Sequence, residues 1–258
     1  MVYYEYMDVL IATVVGLILG SFASVVIERL GVRGGIVAGR SECPRCQQVL
    51  AWYDLIPLAS FLWLRGRCRY CAVPIAIRYL CMELGMAFAL GSYVFQNGWA
   101  GGLTLLEGGI IAGLVMLLFF DLRHQLLPDE LTVPTGLLAA VRIGAYGIPE
   151  ATSAAVGAVV LILFFGLLHT VSSGRWIGFG DVGLGGLLGL VLGWPYVLFV
   201  LVFAVWTGVL VGVFLMWLGR ATMKTALPFG TFLNAMAVGA LIEQDLFQAL
   251  AEFLHALP

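Results

Sequence analysis

Long apolar segments with almost no charge recur along this chain and constrain its fold more than any other feature. The first, from Val9 to Ile27, carries no charged residue, and a helix needs about 20 such residues to cross a bilayer. Seven more follow: Tyr79–Phe95, Gly101–Phe120, Leu131–Ile148, Ala151–Val171, Val182–Gly193, Tyr196–Leu218 and Leu227–Ile242. Only 11% of the 258 residues are charged, so most of the exterior must face lipid. The sequence predicts an all-α polytopic membrane protein with about eight transmembrane helices.

The positive charges orient this predicted bundle. If the N-terminus lies outside, the odd-to-even connections are cytoplasmic, which is where Lys and Arg accumulate. Those connections hold twelve of the thirteen basic residues, namely Arg29, Arg33, Arg40, Arg45, Arg65, Arg67, Arg69, Arg78, Arg123, Arg175, Arg220 and Lys224. The thirteenth, Arg142, lies inside a predicted span. The chain starts MVYYEYMDVL, without a basic residue, so we interpret the first apolar segment as a retained span and not a signal peptide.

The predicted organisation has three parts. Residues 1–28 form the first span, residues 29–78 a cytoplasmic loop, and residues 79–258 a seven-helix core. The loop is the polar, cysteine-rich part of the chain. It is small, and it lies between the first two predicted helices.

Two C-x-x-C pairs mark this loop. They are Cys43 with Cys46 and Cys68 with Cys71, separated by 21 residues. Four thiolates complete the tetrahedron that structural zinc prefers, and no open position is left for catalysis. Two disulfides are the alternative, but they rarely persist on a reducing side of the membrane. A thioredoxin-like redox site lacks the βαβ context. The pattern favours structural Zn²⁺, and Cys81, inside a predicted span, is interpreted as a packing residue.

Asp121 is the first of two aspartates that suggest catalysis. It ends the third apolar segment, where the helix dipole disfavours a carboxylate and lipid begins. Asp181 follows Gly178-Phe179-Gly180 at the start of a short span on the same predicted side. Glycines at 178 and 180 allow close backbone approach. Two facing carboxyl groups share a proton and act as acid and base in peptide hydrolysis.

Simpler interpretations exist for the acids that precede spans. Asp129 follows Pro128 and is interpreted mainly as a helix cap, and capping alone is an alternative for Asp181 as well. Glu83, Glu107 and Arg142 lie at predicted membrane depth, where an unpaired charge is costly. We expect Glu107 and Arg142 to pair across adjacent helices. His124 and His169 are interpreted as residues that satisfy local hydrogen bonds.

Taken together, these residues resemble the type IV prepilin peptidases, a bifunctional family of GxGD-type aspartic membrane proteases. The resemblance covers most of the chain. It rests on Gly20-Ser21-Phe22, Val25-Val26-Ile27, Arg29-Leu30, Cys43-Pro44-Arg45-Cys46, Trp52-Tyr53-Asp54, Ile56-Pro57, Arg65-Gly66, Cys68-Arg69-Tyr70-Cys71, Arg78-Tyr79, Asp121, Leu127-Pro128-Asp129, Gly178-Phe179-Gly180-Asp181 and Pro228-Phe229-Gly230. The family usually has Asn where this chain has Ser24, and often Lys where it has Gly183.

The resemblance implies a function. Asp121 and Asp181 would be the catalytic pair, with Gly178, Gly180, Pro128 and Asp129 supporting their loops. The substrates would be prepilins or pseudopilins of type IV pilus or type II secretion systems, cut behind a basic leader at the cytoplasmic face of the bacterial inner membrane. The new N-terminus would be methylated with S-adenosylmethionine, for which the sequence offers no Rossmann-type fingerprint and no assigned residue. The expected surroundings are the lipid bilayer, with no nucleic acid.

Two other functions remain open from the residues alone. A transporter with a zinc-stabilised loop would use the intramembrane charges as a pathway, but the strongest acids cluster at one face. A scaffold of a secretion system would explain the helices and the zinc loop and would leave the aspartates without a role.

Overall fold

The structure, a computed structural model, describes residues 2–30, 39–223, 225–247 and 249, with side chains from residue 6 onward. Arg33 and Lys224 of the predicted charge pattern, and residues 251–258 of the predicted core, lie outside this part. The described chain is helical, with two isolated antiparallel bridges in the cysteine loop. It divides into two compact units, residues 1–99 and 100–258.

The first unit is a pair of long helices with the cysteine loop between them. Helix α1 spans Val2–Leu30 and α3 spans Ile77–Asn97. They pack backbone to backbone because glycines line their contact: a Cβ on Gly16 would overlap Ala87, and one on Gly20 would overlap Glu83. Small residues at a four-residue spacing allow this close approach between membrane helices. The loop itself contains a 3₁₀ turn, Trp52–Leu55, and the five-residue helix α2, Ala59–Trp63.

Among the described residues, the second unit contains six helices of 14 residues or more. They are α4 (Gly102–His124), α5 (Asp129–Tyr146), α6 (Ile148–Ser172), α7 (Phe179–Leu192), α8 (Tyr196–Trp217) and α9 (Phe229–Ile242). Helix α4 packs on α5 and α9, α6 packs on α7, and α8 packs on α9. Helix α7 contacts four of its five partners in the unit and buries eight of its fourteen residues. Its glycines make this possible, since a Cβ on Gly189 would overlap the backbone of α6.

Each of the eight predicted segments is helical, with ends shifted by a few residues. In the part of the chain that the structure describes, four helices are long and apolar enough to cross a membrane: Tyr6–Leu30 within α1, and the whole of α4, α6 and α8. Helices α7 and α9 are apolar but only 14 residues long. Fourteen residues extend about 21 Å, which is less than the thickness of the hydrocarbon layer of a bilayer. The catalytic candidates Asp121 and Asp181 lie at helix ends in this unit.

Candidate active site and metal centre

The cysteine loop is built from two copies of one turn, 25 residues apart. In the first, the Cys43 amide donates to the Gln48 carbonyl and the Gln47 amide donates to the Cys43 carbonyl. In the second, Cys68 donates to Val73 and Ala72 donates to Cys68. Short antiparallel bridges flank both turns, at Glu42–Val49 and Arg67–Pro74. Residues 47 and 72 both adopt positive φ, near 56° and 55°. Each turn therefore presents its two thiols in the same way.

The four thiols converge on one point. The Sγ atoms of Cys43, Cys46, Cys68 and Cys71 all lie within 4.8 Å of one another, and those of Cys43 and Cys71 are 3.8 Å apart. Four sulfurs about 2.3 Å from a tetrahedral zinc ion would be about 3.8 Å apart. All four cysteines are free of disulfides. The donor set and its spacing fit a zinc ion, and with four protein ligands no position remains for a reacting water.

The thiols differ in acidity before any metal binds. Backbone amides of Cys46 and Arg45 donate to the Cys43 sulfur and lower its pKa to about 7. At Cys71 the amide of Val73 lowers the pKa, but burial and the hydrogen bonds to the three other thiols outweigh it and raise the pKa to about 11. One thiolate is thus readily formed, and a cation would be needed to hold four together.

Two acidic side chains stabilise the loop, one from inside it and one from α3. Asp54, whose side chain is only 2% exposed, pairs with Arg69 at 2.7 Å and accepts the Ala51 amide. Arg69 also stacks over the Tyr53 ring at 4.8 Å. Glu83 accepts the Leu58 amide at 2.8 Å. Glu83 therefore joins the loop to α3.

Asp121 is held by the beginning of another helix. It is 5% exposed, and its Oδ2 accepts the Thr231 amide at 2.6 Å and the Thr231 hydroxyl at 2.9 Å. Thr231 lies in the first turn of α9, where amide groups have no partner within the helix and the dipole is positive. The unfavourable position of Asp121 in the last turn of α4 is thereby compensated by the N-terminus of α9.

Asp181 lies in the first turn of α7 and is half-buried. Its Oδ2 accepts the Gly178 amide at 3.1 Å, the arrangement in which an acid at the third helical position satisfies the N-cap amide. Asp181 therefore takes part in the cap of α7. Only Oδ2 takes part in this bond, so capping and a reaction at Oδ1 are compatible.

The two aspartates belong to the same corner of the second unit. Gly230 connects them: a Cβ there would lie 3.0 Å from Oδ2 of Asp121 and 3.4 Å from Leu184, one turn after Asp181. The carboxyl groups are close enough for the charge of Asp121 to act on Asp181. The α4–α5 connection joins the same corner, because a Cβ on Gly180 would lie 3.3 Å from the Cβ of Leu127. Glycine at 180 and 230 thus allows α7, α9 and this connection to approach the pair.

The remaining predicted residues fall nearby or elsewhere. Pro128 is the N-cap of α5 and Asp129 its first residue, and no side chain makes a capping hydrogen bond at this end. The prediction of Asp129 as the cap is therefore wrong, because proline holds the extended backbone that a cap requires. Nδ1 of His169 donates to the Ile177 carbonyl, 2.9 Å away, so the interpretation of His169 as a residue that satisfies a local hydrogen bond is confirmed. Thr231 was not predicted, because nothing in the sequence ties it to Asp121.

Glu107 and Arg142 pair as predicted. Nη1 of Arg142 lies 3.2 Å from Oε1 of Glu107, and both side chains are buried. Arg142 also donates to the Val191 carbonyl and lies 3.5 Å from Glu150. The pair links α4, α5 and α7 at the end of α4 opposite Asp121, fourteen residues away.

Known proteins match most of the chain. The profile for the bacterial peptidase A24 N-terminal domain matches residues 14–96, and that for the type IV leader peptidase family matches residues 109–216. Three curated relatives are each named prepilin leader peptidase/N-methyltransferase. The one from Myxococcus xanthus is 40% identical over 82% of this chain and 64% of its own length. The one from Burkholderia pseudomallei is 33% identical over 89% of this chain and 83% of its own length. The one from Stutzerimonas stutzeri is 30% identical over 96% of this chain and 94% of its own length. No solved structure matches the chain.

Proposed function

Because the chain belongs to the type IV leader peptidase family, we propose that it removes the leader of prepilins or pseudopilins and that Asp121 and Asp181 carry out the cleavage. The observation that supports this assignment most directly is the convergence of the ends of α4, α7 and α9, because Gly230 of α9 lies against both Asp121 and Leu184, one turn after Asp181. Leader removal and N-methylation are the activities named for the curated relatives, and both are assigned to this chain.

The hydrogen bonds to the pair suggest how the residues share the work. On both aspartates, Oδ2 accepts amide donors from a helix start, which leaves Oδ1 for the reacting groups. The ionised carboxyl group takes a proton from a water molecule, and the water oxygen attacks the scissile carbonyl carbon. The protonated carboxyl group gives its proton to the carbonyl oxygen. The carboxyl group that took the proton from water then gives it to the leaving nitrogen, a hydroxyl of the tetrahedral intermediate returns its proton to the other carboxylate, and the C–N bond breaks. The two protonation states belong to the pair.

The fold and the charge pattern support a membrane orientation for this reaction. We infer that α1 and the seven helices α3 to α9 cross or enter the bacterial inner membrane, with the N-terminus outside. The zinc loop and both aspartates would then face the cytoplasm, where the basic residues accumulate. Trp176 and Trp217 are strongly exposed beside Arg175 and Arg220, as expected for aromatic residues at a membrane–water boundary. In this arrangement the scissile bond meets the pair at the membrane surface.

Zinc is proposed as the structural ion of the cysteine loop. The four thiols would hold it, and it would fix the two turns relative to each other without touching the substrate. The methyl donor is a different case. An apolar cavity beside α6 and α8 offers almost no polar group to S-adenosylmethionine, and a polar cavity around Arg142 lies about 21 Å from Asp121. Neither cavity fits the donor, so no residue is assigned to it.

Cleavage by purified variants tests the proposal. Detergent-solubilised protein should trim a prepilin carrying its leader, and Asp121→Asn and Asp181→Asn should each lower the rate by about 10³-fold or more, with unfolding temperatures near that of the parent. Glu130→Gln, an exposed acid in the first turn of α5, is the matched control and should retain activity.

Two results would contradict the proposal. One is substantial cleavage by either well-folded Asn variant, which would remove that residue from the chemistry. The other is the absence of cleavage by the parent protein with any leader-bearing prepilin, which is the result expected of a transporter or a secretion-system scaffold.

A further inference from the structure

An apolar groove runs between α6 and α8 in the second unit. Its cavity is about 380 Å³ and is lined by Phe164, Phe165, Leu168, Ile177, Leu201, Val202, Val205, Trp206 and Phe229. On both helices the lining residues follow one face, with spacings of one and four positions. Helix α6 packs on α7 and α8 packs on α9, but α6 and α8 hardly touch each other. The groove is the space that this arrangement leaves open.

The groove begins beside the catalytic pair. Phe229 immediately precedes Gly230 and Thr231, which contact Asp121. Ile177 immediately precedes Gly178, whose amide binds Asp181. From these two residues the lining continues along α6 and α8 toward the middle of α8. The groove therefore runs from the segments around Gly178 and Gly230, which contact the two aspartates, to the middle of α8.

Trp206 distinguishes this surface from an ordinary lipid-facing one. It is 63% exposed and stands near the centre of the 22-residue helix α8. Tryptophan on membrane proteins concentrates at the two bilayer surfaces, and at protein interfaces it is among the residues that contribute most to binding. An exposed tryptophan at mid-span, on the wall of a groove, indicates a protein partner.

We propose that this groove holds the apolar membrane helix of the substrate, directly behind the bond that is cut. The proposal rests on the proposed function. A substrate cleaved at the membrane surface continues into the bilayer, and there its backbone must be helical, because no water is present to satisfy its amide and carbonyl groups. Large apolar side chains on one face of the substrate helix lie between α6 and α8, where they contact Phe164 of α6 and Trp206 of α8. The groove thereby selects substrates whose cleavage site is followed by a membrane helix.

Filling the groove tests this selection. Val205→Trp occupies the cavity, and Val213→Trp, two turns along the same helix and similarly exposed (44% and 55%), is the matched control outside it. Two probes share one leader and cleavage site, followed either by an apolar segment of about 20 residues or by a polar segment of equal length. The ratio of kcat/KM for the apolar probe to that for the polar probe should fall about tenfold in Val205→Trp and stay within about twofold in Val213→Trp.

Crosslinking provides a readout that does not depend on turnover. A photoreactive amino acid at position 205, in protein carrying Asp181→Asn and reconstituted in phosphatidylethanolamine–phosphatidylglycerol vesicles, should crosslink to the apolar probe, and one at position 213 should not. Crosslinks to lipid alone at position 205, or equal crosslinks to the probe from both positions, would overturn the proposal. A parent protein that cuts neither probe refutes the proposed function, while the crosslinks still decide the groove.

Discussion

In the cysteine loop the backbone hydrogen bonds that shape each C-x-x-C turn come from residues a few positions away, whereas Asp121 is held by a residue 110 positions along the chain. The two C-x-x-C turns form themselves through local amide–carbonyl bonds and need only be brought together. The aspartate corner has no local motif of this kind, because three helix ends must converge on it. The comparison shows two ways of placing reactive side chains: short-range turns suit a metal, and helix packing suits a catalytic pair.

Removing one cysteine of the loop should have the largest effect, because the proposed zinc ion binds both C-x-x-C turns and holds them together. Cys68→Ser should abolish stoichiometric zinc binding, because structural zinc contributes on the order of 10 kcal/mol to folding of such sites. Bound zinc measured by mass spectrometry should disappear, and limited proteolysis should cut between residues 40 and 76. Cys81→Ser, outside the cluster on α3, is the control and should keep its zinc. Normal zinc content in Cys68→Ser would contradict the proposed site.

The buried ion pair of Glu107 and Arg142 tests how strongly contacts between distant residues hold the helices of the second unit together. Arg142→Met should lower the free energy of unfolding by about 3–5 kcal/mol, because it leaves Glu107 buried without its partner. Exchanging the two charges should restore only part of the loss, since Arg142 also donates to Val191 on α7. Denaturation in detergent measures both effects, with exposed Arg220→Met as the control. An unchanged unfolding free energy in Arg142→Met would show that the pair does not hold these helices together.

A single hydroxyl tests the positioning of Asp121. Thr231→Val removes one of two hydrogen bonds to Oδ2 while the backbone amide still donates. A hydrogen bond to a charged group contributes about 1.5–3 kcal/mol, so kcat should fall at least about tenfold with little change in KM. Thr231→Ser should restore most of the rate. Thr207→Val, whose hydroxyl bonds only to its own helix, should have no effect on kcat. Equal losses in the Val and Ser variants would point to packing instead of the hydroxyl.

The smallest effect is expected at the salt bridge of the loop. Asp54→Asn removes the charge attraction to a partly exposed Arg69, which is worth about 1 kcal/mol or less. Amide hydrogen exchange around residues 51–54 should accelerate severalfold while zinc content stays normal. Exposed Asp245→Asn should leave that exchange unchanged. Loss of zinc in Asp54→Asn would mean that the two turns depend on their tether more than the comparison suggests.

The features that depend on short-range patterns could be predicted from the amino-acid sequence. Apolar length located the helices, because a run of uncharged residues has no other stable state in lipid. Spacing located the four thiols that converge, since a C-x-x-C turn is defined within a few residues. Asp121 was singled out because a carboxylate at a helix C-terminus is unfavourable on its own helix.

The partners of Asp121, which offset its unfavourable place at the end of α4, and the partners of the other charged residues became visible with the packed helices. Thr231, at the start of α9, donates hydrogen bonds to the Asp121 carboxylate. Glu83 accepts the Leu58 amide, and Pro128 occupies the N-cap position that was expected for Asp129. Contacts between residues far apart in the chain depend on how helices pack. Packing is set by the shape of whole helix faces, such as the glycine surface of α7, and no single motif encodes it.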